Sequence, residues 1–391
     1  MKKVSVFLLS LVLVLLCGCV KKSGGEPQNR AHSVGVWFSY NELDRFLEGN
    51  LEEEYAKALE NCKKLGITDV FVHVRPYCDA IYPSKLFPMR ETAKGYDDAL
   101  SVLIDVTHKA NMRFHAWINP YRVRTADEDI TKLPQDSPVS KWLNDDDSEN
   151  DADVIFCNGI YLAPSSPRVR RLVIDGVREL LENYEVDGIH FDDYFYPTAD
   201  EQIDGKAYDS YRNSTQIPLS LRDWRIANVD TLISGTYTAV KGYGEYKLFS
   251  VSPAASLEKN KQQLFADVEA WMSAGTVDII IPQLYFGFEY PQKEFRFENL
   301  LAEWSAVERA ENVELWIGLG AYKLNEASLA DYAEWSSDSS ILSRQTELCR
   351  QNTEVCGHVY YSYTALFSNE HKNKQALYSL LGKEEKYVEK N

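Results

Sequence analysis

The sequence predicts an α/β protein built as a single closed (β/α)8 TIM barrel. Two observations carry that expectation. Short, nearly continuous apolar runs recur along the chain, and each is followed by a stretch with apolar residues at helical spacing. Eight such pairs fit in the 391 residues, and eight βα units close a parallel barrel. An open doubly wound sheet is the alternative. Its nucleotide-binding form carries a glycine fingerprint, and neither GxGxxG nor GxxxxGK followed by Ser or Thr occurs.

The N-terminus reads as a targeting segment. Lys2 and Lys3 precede an apolar run, Val4 to Leu16, that is shorter than a membrane span. Leu16-Cys17-Gly18-Cys19 follows, with the small residue a lipid-attachment site needs directly before Cys19. Cys17 is the poorer acceptor because Leu16 precedes it. The expectation is a lipoprotein signal over residues 1–18, lipidation of Cys19 and a flexible tether over 19–30. Residues 31–391 then form the barrel, held to a membrane at the outer membrane or cell surface. A plain secretory signal is the simpler alternative.

From there the units follow in order. The first strand is Val34 to Tyr40, and the helix from Leu51 to Leu65 ends at Gly66, a residue suited to the C-terminal cap. Strand two is Asp69 to Pro76, the second helix Asp97 to Ala110, and strand three Arg113 to Tyr121. A long irregular insertion occupies about 122–166. A helix from Pro167 to Asn183 leads to strand four, Val186 to Tyr194. A second loop, 195–218, precedes a helix over 219–241 and strand five, Tyr246 to Pro253. A helix over 259–274, strand six from Val277 to Tyr285, a helix over 297–310 and strand seven from Glu314 to Gly320 come next. A helix over 340–351, strand eight from His358 to Tyr363 and a helix over 369–381 complete the pattern.

Composition narrows the partners. The formal net charge of −17 argues against nucleic acid, which is bound by neutralising phosphates. With 24 Tyr and 8 Trp the chain has the aromatic faces a sugar-binding cleft needs. A monomer is expected. The five cysteines outside the signal, at 62, 78, 157, 349 and 356, are odd in number and form no CxxC pair, so neither a disulfide framework nor a cysteine zinc site is expected. Cys349 and Cys356 flank a short turn and are the one candidate pair.

Polar residues at barrel strand ends are the candidates for chemistry, because active sites lie at the C-terminal face. Strand four carries them most densely. Along Gly188 to Asp192, alternation puts Ile189 and Phe191 on one face and His190 and Asp192 on the other. Asp192 is therefore the first catalytic candidate, as nucleophile or base. Asp193 is the second, provided the strand kinks there, with Glu258 and Glu289 as alternatives for the second carboxyl. Substrate contacts are expected from His73 and Arg75, which should share a face, and from His115, Trp117, Asn119 and Tyr121 on strand three. His190, Tyr196, Gln283 and Tyr285 complete the expected site. No metal or other cofactor is expected, since the histidines have no compact ligand spacing.

Several segments together resemble glycosyl hydrolase-like family 10. They are Gly35-Val36-Trp37, Val74-Arg75-Pro76 with Asp79 to Ser84, His115 to Arg122, Asp187 to Pro197, Asp223-Trp224-Arg225 with Asn228-Val229, and Pro282-Gln283-Leu284-Tyr285. The resemblance implies a (β/α)8 glycosidase acting on bacterial polysaccharide, in particular peptidoglycan glycan strands stripped of stem peptides. Two stretches depart from the family pattern, Ser252 to Ser256 after strand five and Leu162 to Ser165. Strand four is also similar to amylase-type and chitinase-type strands, although Tyr194 stands where a chitinase keeps its acid. The other classes consistent with the sequence are a non-hydrolytic glycan-binding barrel, a hydrolase of another polysaccharide, and a deacetylase-like metalloenzyme.

Overall fold

The computed structural model describes residues 32–324, 334–338 and 340–367. The expected signal, Cys19, the tether and the helix over 369–381 lie outside the described residues. Eight parallel strands close a barrel in chain order: β1 (Ser33–Phe38), β2 (Asp69–Arg75), β3 (Arg113–Ile118), β4 (Gly188–Phe191), β5 (Leu248–Val251), β6 (Ile279–Ile280), β7 (Glu314–Leu319) and β8 (Val355–Tyr361). Among the described residues no helix is long and apolar enough to cross a membrane.

Alternation along the strands divides the core into two layers. Side chains pointing outward, such as Val36, Val70, Val72, Ile189, Phe191 and Ile317, join the large cluster beneath the helices. Those pointing inward form a small second cluster that includes Trp37, Phe71, Trp117, Trp316 and Val359. Three Trp among five named residues show how the interior is filled. At the base of the barrel Asp69, fully buried, accepts from His115 Nε2 at 2.8 Å and pairs with Arg113 at 2.8 Å. Gly188 makes room for this arrangement, since a Cβ there would stand 2.6 Å from His115 Nδ1. Asp187 sits at the entry to β4, and its Oδ2 accepts from the Phe114 backbone N at 2.7 Å.

The helices over Leu51–Lys64, Ala99–Lys109, Pro167–Asn183, Leu221–Gly242 and Ile341–Gln351 follow the sequence reading within a few residues. Gly66 takes the left-handed conformation, φ 64°, that its capping role requires. Other expectations are corrected. The helix expected over 259–274 is two helices, Leu257–Gln263 and Val268–Ala274. Phe265 turns the chain at φ 55°, and Asp267 caps the second helix by accepting from Ala270 N. A helix at Tyr40–Glu48 was not expected; Glu42 starts it by reaching back to accept from Ser39 N at 2.7 Å.

The insertion over 122–166 is not irregular. Strands Arg122–Thr125, Val154–Phe156 and Gly159–Leu162 make an antiparallel sheet, and Pro138–Asn144 is a helix. The second loop contains the helix Gly205–Ser214, fixed at its start by the buried pair of Asp204 and Arg225 at 2.6 Å. Cys349 is a buried free thiol, so it does not pair with Cys356.

Helix Pro167–Asn183 packs on the barrel through Gly176, where a Cβ would stand 2.1 Å from Arg75 Nη1 and 2.7 Å from Phe87 Cε2. Gly176→Ala should therefore force either Arg75 or the helix to move. The expected loss is about 1–3 kcal/mol of stability by denaturant unfolding; an unchanged midpoint would show that Arg75 has room to swing.

Candidate active site

The barrel mouth is built around Asp192, the first residue beyond β4. It continues the inward face of His190, is 4% exposed, and accepts from Trp117 Nε1 at 3.1 Å and Asn119 Nδ2 at 2.9 Å. Trp117 lies on β3 opposite His190, so strand pairing itself sets the first of these donors. Asn119 is fixed in turn, because its Oδ1 accepts from Arg122 N at 2.9 Å. Burial pushes the Asp192 carboxyl above the ordinary carboxylate value, while Arg122, Asn119 and Trp117 pull it back toward the ionised form.

Asp193 reaches the same cavity because the chain kinks there. Phe195 N bonds back to Asp193 O at 3.1 Å, a three-residue turn that ends the strand alternation. Gln283 Nε2 donates to Asp193 Oδ1 at 3.2 Å and is itself held by Ser252 O at 3.0 Å. Burial, and then the neighbouring Asp192 charge, raise the Asp193 carboxyl to about 6. Trp117, Asn119 and, at 3.5 Å, the Tyr194 backbone N donate to Asp192, whereas Gln283 is the side-chain donor to Asp193, so the surroundings favour the charge on Asp192 and the proton on Asp193. The arrangement separates an anion and an acid by environment.

The cavity above them holds about 220 Å³. Trp37, Trp117, Tyr285, Tyr322 and Tyr361 supply its aromatic walls, with the Tyr285 and Tyr361 rings stacked at 6.0 Å. At the rim the Arg122 guanidinium lies 4.1 Å over the ring of Tyr194 and 5.7 Å from that of Tyr77. Among the described residues no group of three or more His, Cys, Asp or Glu gathers at metal-binding spacing.

This barrel, with two adjacent carboxyls at its mouth, has relatives. The sequence profile of the family described as glycosyl hydrolase-like 10 matches residues 33–337. The chain belongs to that family. It is 30% identical to Glycosyl hydrolase YngK of Bacillus subtilis (strain 168) over 346 residues, 81% of this chain and 64% of that protein. It thus spans somewhat less than two thirds of YngK. It is 29% identical to Glycosyl hydrolase DigH of Escherichia coli (strain K12), covering 81% of this chain and 75% of DigH. In fold it is similar to the PgaB (BpsB) glycoside hydrolase domain of Bordetella bronchiseptica, at a TM-score of 0.61, 15% identity, and coverage of 90% of this chain and 98% of that one. The catalytic domain of the β-amylase of Paenibacillus polymyxa superposes at a TM-score of 0.57 and 9% identity, covering 90% of this chain and 98% of that one.

In this member of glycosyl hydrolase-like family 10, the structure gathers Asp192, Asp193, Trp117, His190, Gln283 and Tyr285 at the cavity and puts Asn119 behind Asp192. The other expected contacts lie elsewhere. Arg75 faces the helices, stacked 4.1 Å over Phe87, because the β2–β3 register slips between His73 and Arg75. That bulge inverts the alternation on which the shared face depended. His73 lies flat on Trp117, ring centroids 3.7 Å apart, and backs the cavity wall without lining it. His115 belongs to the base of the barrel with Asp69. Tyr121 and Tyr196 are fully buried on the helix side, Tyr196 beneath Arg225 and against Phe265. Glu258 and Glu289 are exposed and stand off the cavity wall.

His190 serves the floor of the site: its Nε2 accepts from Trp37 Nε1 at 3.1 Å, and its Nδ1 bonds Ser250 Oγ at 2.8 Å. These partners put the proton on Nδ1, and burial holds the imidazole neutral. The sequence reading left Trp37, Tyr322 and Arg122 out of the site. Trp37 carried a legible signal, an inward-phase aromatic near the end of strand one; Tyr322 sits in a short turn, Ala321–Leu324, with no pattern to find it by.

Asn119→Ala should lower kcat by about 10²-fold or more, the scale for removing one preorganised donor. Tyr121→Phe should leave kcat/KM within about twofold, because that ring lies outside the cavity. Steady-state kinetics on the two purified variants decides; a large loss in Tyr121→Phe would return that residue to the site.

Proposed function

We propose that the chain is an exported glycoside hydrolase that cleaves bacterial polysaccharide, with peptidoglycan glycan strands lacking stem peptides as its substrate. The observation that carries the reading is the pair of carboxyls in one aromatic-walled cavity: Asp192 among fixed donors that favour its charged form, and Asp193 raised by burial and by Asp192 to about 6. Glycoside cleavage needs an acid at the leaving oxygen and a negative partner for the cationic transition state. Asp193 takes the first role. Asp192 takes the second, as nucleophile or as base toward water. Tyr and Trp faces suit the apolar sides of pyranose rings. Removing a stem peptide uncovers a carboxylate on each muramyl residue, and Arg122 at the rim offers a cation for it. Membership of the family supports the hydrolase class, and the resemblance of the sequence motifs supports the stripped-strand substrate.

Activity rests on the form with Asp193 protonated and Asp192 ionised. kcat/KM on stripped strands should fall as pH rises through about 6. Gln283 favours the charged form of Asp193, so Gln283→Leu should move that limb to higher pH. Asp193→Asn should cost about 10²–10⁴-fold, the usual scale for a lost general acid. Equal product from wild type and both Asp192→Asn and Asp193→Asn would remove the pair from the mechanism.

Export and anchoring are part of the proposal and rest on Lys2, Lys3, the apolar run and Gly18-Cys19. Cys19→Ala should shift the protein from the membrane fraction to the soluble one; unchanged membrane association would refute lipidation at Cys19.

A further inference from the structure

The two carboxyl groups are consecutive residues that enter one cavity from one strand end. That placement constrains the chemistry more than their identity does. A carboxylate nucleophile and its acid partner stand about 5–5.5 Å apart across the reacting bond, or about 6.5–9.5 Å when a water lies between. Residues whose Cα atoms are about 3.8 Å apart approach a sugar from one side. Among the described residues lining the cavity, Asp192 and Asp193 are the only acids, and none faces them from the far wall. Glu42, buried near the same end, is taken up by Ser362 Oγ at 2.7 Å and by the Ser39 and Thr364 backbone.

Asp192 is also poorly disposed to bond carbon. It is 4% exposed and fixed by Trp117, Asn119 and the Tyr194 backbone N, and it lines the deep part of the cavity as a hydrogen-bond acceptor. Around it stand the rings of Trp37, Tyr285 and Tyr361. At about 220 Å³ the space is smaller than the roughly 300–1,000 Å³ of ordinary ligand pockets. A deep anion inside an apolar collar matches a small group with one N–H and one methyl. An acetamido group is such a group.

Resting on the hydrolase reading above, we propose that Asp192 binds the N–H of a 2-acetamido substituent on the sugar being cleaved. The acetamido carbonyl oxygen, and not a protein side chain, is then the nucleophile at C1. That oxygen forms a bond to C1 as the C1–O bond to the leaving sugar breaks. Asp193 gives its proton to the leaving oxygen. The positive charge of the resulting bicyclic ring lies at the N–H held by Asp192. Water next attacks C1 and passes a proton to the Asp193 carboxylate, the bond from C1 to the acetamido oxygen breaks, and the acetamide is restored. Two displacements at C1 retain the anomeric configuration. The substrate class is therefore a glycoside of an N-acetylated 2-amino sugar; a 2-hydroxy sugar or a free amine has no acyl carbonyl oxygen to close a five-membered ring at C1.

The test uses the full chain with stripped peptidoglycan strands, the same strands after chemical N-deacetylation, and a methylthiazoline derived from N-acetylglucosamine, a stable sulfur analogue of the bicyclic intermediate. Expected results are retained configuration in the first product seen by NMR, cleavage lost at least 100-fold on the deacetylated strands, and competitive inhibition by the thiazoline. Calorimetry should show thiazoline affinity falling at least tenfold in Asp192→Asn, with an unchanged circular dichroism spectrum. Turnover with inversion, turnover with a covalent glycosyl adduct on Asp192 trapped by a 2-fluoro glycoside, or turnover unaffected by the thiazoline overturns this proposal and leaves the hydrolase reading standing. No turnover on any glycan overturns both.

Discussion

One buried negative charge organises the mouth of this barrel. Asp192 is withdrawn from water, and an unpaired carboxylate there costs several kcal/mol. Its donors come from β3 and the loop that follows, so the charge is affordable only in the register that sets Trp117 opposite His190. Asn119 extends the constraint outward. Its amide holds the carboxylate with one end and the backbone of Arg122 with the other. Arg122 begins the side sheet of the insertion, so the insertion grows from the group that holds the charge.

The interior below keeps its polar groups neutral or internally paired, and this preserves the field at the mouth. His115 and Arg113 are committed to Asp69 at the base. His190 is held neutral by burial, between Trp37 and Ser250. His73 is held neutral by burial and by the nearby Arg122 and Arg90. The two histidines nearest Asp192, His73 and His190, therefore bring it no counter-charge. Arg122 is a cation that acts on it, and its guanidinium lies over the ring of Tyr194, which lines the cavity. Histidines expected from the sequence as substrate contacts, His73 and His115, are here packed beneath the site.

The fold was legible because each strand carries its own burial signal. β4 shows this most clearly: Ile189 and Phe191 go to the helices, and His190 and Asp192 go inward, as the period of two requires. Reading failed where the backbone leaves that period. The β2 bulge turns Arg75 outward after His73 has pointed in, and nothing in Val74-Arg75-Pro76 announces the extra residue. Tyr121 and Tyr196 lie beyond their strand ends, where the strand period no longer sets direction, and Tyr196 is held against Arg225 and Phe265. The side sheet was hidden for a related reason: its strands are three or four residues long, too short for a period to show.

The same departures from regularity make the site. A regular strand would send Asp192 inward and Asp193 to the helices, and would yield one carboxyl at the cavity. The turn closed by Phe195 N on Asp193 O breaks the alternation at the residue where a second carboxyl is needed. The chain repeats the turn after β6: Leu284 N bonds Pro282 O and Tyr285 N bonds Gln283 O. Gln283 and Tyr285, two residues apart, keep one face through these turns and both reach the cavity. These two irregular strand ends meet in the hydrogen bond from Gln283 to Asp193. Asp193 therefore reaches the cavity through a local break in strand geometry, and Asp192 through the regular strand that precedes it. Two adjacent aspartates can differ in role because one obeys the sheet and the other does not.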